Sequence, residues 1–140
     1  MIPVFVDTSV LLHATGGPHP LRAPAQELLR RATHDLVLHI GAETVQEFVF
    51  HKARFQDRAA AAELGEWLLQ ACVVHPFDDV VARRGLELVT QTRSLGGRDA
   101  FLAATALGAG FSSIVVHDGR FQPPPGLAPL TAEQFLATLP

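Results

Sequence analysis

At 140 residues the chain is long enough to bury one substantial core and too short for two cores and a linker, so it reads as a single domain over residues 1–140. A hydrophobic share of 48% with 18% charged residues is that of a globular protein, and no apolar run approaches the roughly 18 residues that span a bilayer, which excludes a membrane-spanning class. The formal charge of −3 decides little about a polyanionic partner, because four acids singled out below supply −4 and leave +1 on the remainder, with ten of the eleven basic residues being arginines suited to phosphate.

The first residues, Met1 to Asp7, carry neither the basic region nor the long apolar stretch of a secretory signal, so a cytoplasmic location is expected. Val4-Phe5-Val6 is a short apolar run that stops at Asp7, the pattern of a strand buried on both faces, with Pro3 tolerable at its beginning. Asp7 then precedes Thr8 to Leu12 as a helix cap would. A second apolar run spans Leu36 to Ile40, followed by a helical pattern from Val45 through Phe55 in which Thr44 and Glu47 have capping-box spacing. Phe48, Val49, Phe50 and Phe55 make that region more apolar than one buried stripe requires. Asp57 suits the cap of a helix with Leu64, Trp67 and Leu68 on one face. Cys72 to His75 is a third run; Cys72 is the only cysteine, which rules out an internal disulfide, and its apolar neighbours make it a buried thiol. Asp78 opens a helix through Leu88, and another runs from about Asp99 to Gly108 or Gly110, where glycine suits a helix end. The fourth run, Ser113 to His117, ends at Asp118-Gly119, and the tail reads as a Pro-rich loop from Pro123 to Gly126 and a short helix from Thr131, capped with Gln134.

Strands that alternate with helices, without hairpin turns between them, imply an α/β fold with a mainly parallel sheet covered on both faces. Ligands in such folds bind beyond the carboxyl ends of the strands. Asp7, Glu47, Asp99 and Asp118 each stand at a strand end or in a helical first turn, so chain direction can bring all four to one edge. Each also has an ordinary explanation alone: Asp7 and Asp99 as helix caps, Glu47 as the partner in a capping box, and Asp118-Gly119 as a turn. Four carboxylates suit a hard divalent cation, which selects oxygen ligands. The seven histidines lack the helical pairing or cysteine partners of a zinc site; His117, beside Asp118, is the one to follow.

The ordered segments Val-Asp-Thr-Ser-Val-Leu-Leu (6–12), Glu-Thr-Val-Gln-Glu-Phe (43–48), Gly-Gly-Arg-Asp-Ala-Phe-Leu-Ala-Ala-Thr-Ala (96–106) and His-Asp-Gly-Arg-Phe (117–121) resemble the four acidic motifs of PIN-domain nucleases, most of all VapC-like toxins of type II toxin-antitoxin systems. The resemblance covers nearly the whole chain, including Leu130 to Leu136. It implies a three-layer α/β/α fold with a mainly parallel central sheet. It also implies a Mg2+- or Mn2+-dependent endoribonuclease that leaves a 5′-phosphate and a 3′-hydroxyl. Asp7, Glu47, Asp99 and Asp118 are then the catalytic acids and metal ligands, with Thr8 or Ser9 as hydroxyl helpers, although Ser9 fits a capping role equally well. Val116 stands where many relatives place Thr or Ser. Arg98 and Arg120 are candidate contacts to the RNA backbone, against the ordinary alternative of solvated arginines, and Phe121 is expected to pack under its loop.

The partners implied are an RNA substrate, a cognate antitoxin protein whose segment fills the acidic groove, and a second copy in a homodimer, with no membrane. An alternative is a catalytically weak PIN-like RNA-binding module, against which the presence of all four acids argues. A phosphatase using Asp7 as nucleophile would carry a second Asp at the position of Ser9 and a lysine near the last acid, whereas the only lysine is Lys52.

Overall fold

The central strand shows why the sheet is parallel and covered twice. In the computed structural model, which describes residues 1–140, β1 (Ile2–Phe5) continues into Val6, and Val4, Phe5 and Val6 are all buried although their side chains alternate between faces. β2 (Leu36–Gly41) lies parallel to β1 with Ile2 opposite Leu36 and Phe5 opposite His39, and β3 (Val73–His75) lies parallel on the far side of β2. On the other side of β1, a parallel bridge between Val6 and Val115 and the bond from Asp7 N–H to the Val115 carbonyl at 2.9 Å bring in β4 (Ser113–Val115). β5 (Ala128–Leu130) pairs parallel with β4. The strand order is therefore β3-β2-β1-β4-β5.

Two strands contain proline, and both place it where no ladder donor is lost. Ile2 and Val6 donate towards β2, so Pro3 turns its nitrogen to the opposite edge, which β4 joins only at Val6. Ala128 donates to Ser112, so Pro129 faces away from β4 on an edge strand.

Seven helices cover the sheet. α1 (Thr8–Thr15), α2 (Arg22–Arg31), α3 (Ala42–Phe55), α4 (Arg58–Ala71) and α7 (Ala132–Ala137) contribute Leu11, Leu28, Phe48, Leu68 and Phe135 to a core against Val4, Val6, Leu38 and Ile40. α5 (Asp79–Gln91) and α6 (Gly97–Gly108) pack on the opposite face, where Leu88, Leu102 and Ala103 meet Phe5, Ile114 and Val116. This is the expected three-layer α/β/α arrangement. The Asp57, Asp78 and Thr131 caps form as expected, each side chain accepting a backbone N–H in the first turn. No helix is long and apolar enough to cross a membrane.

Several expectations require correction. The capping box at Thr44 and Glu47 does not form, because α3 starts earlier, at Ala42 behind Gly41, and Thr44 is buried in its first turn. Asp99 is likewise no cap: Gly96 precedes α6 and Asp99 lies within its first turn. α2 was not expected at all. It has no side-chain cap, and its first turn holds Pro24, tolerated there because the early N–H groups of a helix lack intrahelical partners anyway. The segment read as tail loop and helix also contains the short strand β5. Cys72 is half-buried rather than fully so, and burial pushes its thiol up to about 11, which keeps it in the unreactive form.

Candidate active site

The strand order creates a switch point. From β1 the chain goes to β2 on one side and later returns to β4 on the other, so a crevice opens between the carboxyl ends of β1 and β4. Asp7 leaves the end of β1 and Asp118 follows the end of β4; Glu47 reaches the crevice from α3, and Asp99 from the first turn of α6. All four line one cleft of about 880 Å³.

Asp7 is both a helix cap and a cleft acid. Its Oδ2 accepts the Ser9 N–H at 3.1 Å and the Ser9 hydroxyl at 2.5 Å. Ser9 Oγ in turn accepts the His117 N–H at 2.9 Å, tying the start of α1 to the end of β4. Burial raises the Asp7 carboxyl above its ordinary value, opposed by the Ser9 bonds. Glu47 is raised by burial and then by Asp7, with Arg98 and His51 pulling the other way. The fully buried Thr8 hydroxyl beside it also lowers it slightly but completes no hydrogen bond. Asp99 is raised by burial and then by Asp7 and Asp118. Asp118 alone is held below the usual range, by hydrogen bonds from the Arg120 side chain and backbone.

The two arginines that are candidate RNA contacts are found on carboxylates. Arg120 donates to Asp118 through Nε at 3.1 Å and Nη2 at 3.2 Å, and Arg98 Nη2 lies 3.4 Å from Glu47 Oε2. Both are highly exposed, so these pairs are weakly held and readily exchanged. With Glu47 and Asp118 turned towards them, no three acidic or histidine side chains are close enough together to grip one ion as they stand. The acids share a cleft without forming a closed cage.

His117 lies outside the cleft lining. Its Nε2 accepts the Ala132 N–H at 3.1 Å, which leaves its proton on Nδ1, facing His13 Nδ1 at 3.0 Å. Burial and the neighbouring histidines pull its pKa down to about 4, so the neutral ring joins α1 to the start of α7. Val116 packs with Ile114 against α6, and the hydroxyl at this strand end comes instead from Ser9. Phe121 is buried in the α6-side core, yet it also contributes to the lining of the cleft.

Sequence reasoning passed over Glu43 and His51, which line the cleft one turn before and one turn after Glu47. Their spacing of four residues on α3 was the available signal. Glu43 Oε1 accepts the Thr105 hydroxyl at 3.0 Å while its Oε2 is buried without a partner. A Cβ on Gly41 would stand 2.7 Å from that carboxylate, so the glycine leaves room for it.

Residues 4–125 match the family described as PIN domain, and the chain belongs to that family. Within it, the chain is 38% identical over 121 residues to Ribonuclease VapC7 of Mycobacterium tuberculosis strain H37Rv, covering 84% of this chain and 83% of that one. Among solved structures, it superposes on the M. tuberculosis VapC20, described as a sarcin-ricin loop cleaving toxin, with a TM-score of 0.69 at 18% identity, over 83% of this chain and 90% of that one. VapBC2 of Rickettsia felis, bound to a DNA fragment from its promoter, gives a TM-score of 0.69 at 16% identity over 94% and 98% of the two chains.

Proposed function

We propose that this chain is a Mg2+- or Mn2+-dependent endoribonuclease whose cation is held by Asp7, Glu47, Asp99 and Asp118. The observation that carries this reading is the gathering of four carboxylates from four separate elements into one cleft at the switch point of the sheet. The donor set fits the group: it is all oxygen, and Thr8 Oγ1 and Glu43 Oε2 remain buried beside it without partners. Magnesium keeps several waters and takes few direct carboxylates, so part of the four-acid set would hold it through bound water.

When bound, the cation neutralises phosphodiester charge and lowers the pKa of water. Ser9 keeps Asp7 pointed through two hydrogen bonds, and Thr8 offers a spare hydroxyl at the same edge. Arg98 and Arg120, exposed at the cleft beside Glu47 and Asp118, would present their planar donors to the RNA backbone.

The same reading makes the chain the toxin of a type II toxin-antitoxin pair, active in the cytoplasm, restrained by a cognate antitoxin and assembled as a homodimer. Support comes from the VapC7 relationship and from α3, whose Phe50 and Phe55 are 61% and 84% exposed while Phe48 is buried. The test is incubation of the purified protein with single-stranded and structured RNAs, with magnesium, manganese or chelator. Cleavage should require the metal and disappear in Asp7→Asn and Asp99→Asn. Full-rate cleavage in chelator, or in both variants, overturns the assignment, and RNA binding without any cleavage would identify an RNA-binding module instead.

A further inference from the structure

The acid cleft has an aromatic wall that the carboxylate chemistry does not use. Phe77, in the connection between β3 and α5, lines the cleft and is 45% exposed. Phe101, two residues beyond Asp99 on α6, lines it too, and the two rings meet edge to face with centroids 5.7 Å apart at 67°. Phe101 is itself wedged against α5: a Cβ on Gly85 would stand 2.2 Å from its Cδ1, so the ring occupies the space that a side chain there would take. Phe77 therefore rests on a ring backed by a helix. Arg98 shares the same cleft and is exposed.

A π-face beside a cationic side chain and a phosphate-directed site matches the chemistry of an unpaired nucleobase. Bases splayed from single strands stack on aromatic side chains, whereas a paired base inside a duplex offers no free face. Building on the proposed function, we propose that Phe77, backed by Phe101, is a stacking platform for one unpaired RNA base flanking the cleaved phosphodiester. Because every base has a π-face, this position tolerates all four, and any sequence preference is set elsewhere.

The test is an abasic scan. A set of single-stranded RNA ten-mers of one mixed sequence, each with one base removed and the backbone kept, is cleaved with manganese by the wild type and by Phe77→Ala, Phe77→Leu and Phe77→Trp. In the wild type one abasic position should lower kcat/KM by roughly 5- to 150-fold, the range of one base–aromatic stack. That position should cease to matter in Phe77→Ala and Phe77→Leu, and matter as before in Phe77→Trp. Leucine separates stacking from simple apolar bulk, and thermal melts of the three variants, expected near wild type because Phe77 is half-exposed, check that the fold is kept.

A wild type that cleaves RNA without any abasic-sensitive position sinks the platform alone. So does an abasic penalty of equal size in Phe77→Ala. If Phe77→Ala cleaves every oligomer normally but escapes a co-expressed inhibitor, the ledge is a protein contact and the proposal is overturned. A wild type that cleaves structured RNA but none of the oligomers overturns the platform alone, and one that cleaves neither sinks the nuclease reading with it.

Discussion

Replacing Asp99 by Asn should raise the melting temperature in chelator and reduce the stabilisation that manganese brings. Asp99 is pushed above its ordinary value by burial, Asp7 and Asp118, so the folded state penalises its charge at neutral pH, and the penalty grows as pH rises through the interval between its unfolded and folded values. A like charge at the mouth of a wet cleft costs about 0.5–1 kcal/mol after screening, and two such neighbours face Asp99. Against that relief, neutralisation gives up an acid in the first turn of α6, worth about 0.3–1 kcal/mol against the helix dipole, together with the attraction of the exposed Arg98 and Arg120. The balance is a gain of about 0.5–1 kcal/mol, or roughly 2–4 °C in a domain of this size. Wild type should gain about 2.7 kcal/mol from a cation at a hundredfold its dissociation constant, a shift of roughly 8–11 °C, and Asp99→Asn clearly less. The assay is a pair of thermal melts per protein, with manganese or chelator at constant ionic strength. If wild type shows no metal-dependent shift and Asp99→Asn melts lower in both buffers, the carboxylates do not act as one electrostatic unit and the reasoning fails.

Ser9→Ala removes the hydroxyl that bonds Asp7 and accepts the His117 N–H, leaving a backbone donor without its partner. A loss of about 1–2 kcal/mol and roughly 3–8 °C is expected in chelator, and an unchanged melt would show that water replaces the hydroxyl. Gly85→Ala sets helix propensity against packing: alanine favours the helix by about 1 kcal/mol, but its Cβ would meet the Phe101 ring at 2.2 Å. Overpacking of about 1–3 kcal/mol should prevail, so this variant should melt below wild type; an equal or higher melting temperature would mean that Phe101 moves aside freely.

The elements legible in the sequence are those whose signal is local. β1 and β2 are apolar runs because the sheet is covered on both faces there, the strand at Cys72 is apolar although it lies at the sheet edge with Val73 exposed, and α4, α5 and α7 announce themselves through Asp57, Asp78 and Thr131. α2 and β5 were hidden by proline, whose ordinary meaning as a breaker fails where the missing N–H had no partner to lose. Pro24 sits in a first helical turn and Pro129 faces outward from an edge strand, and neither position can be known before the neighbouring element is placed.

The site divides along the same line. Asp7 and Asp118 were readable because a strand end next to a switch point is fixed by topology, and the order of the four acids carries that topology in one dimension. What the acids touch is not so encoded. Arg98 and Arg120 are sequence neighbours of Asp99 and Asp118, yet Arg98 pairs across the cleft with Glu47 on another helix, a choice made by the packing of α6 against the sheet. Glu43 and His51 stand at a helical period around Glu47, a spacing that polar residues on a solvated helix face share, so it does not mark a cleft by itself. Phe77 has no such signature: its neighbour Phe101 fills the space that a side chain on Gly85 would take, and a glycine in mid-helix looks in the sequence like a weakness rather than a seat. The four acids are thus marked by motif and order, while the contact between Phe101 and Gly85 that joins α6 to α5 beside them is marked by none.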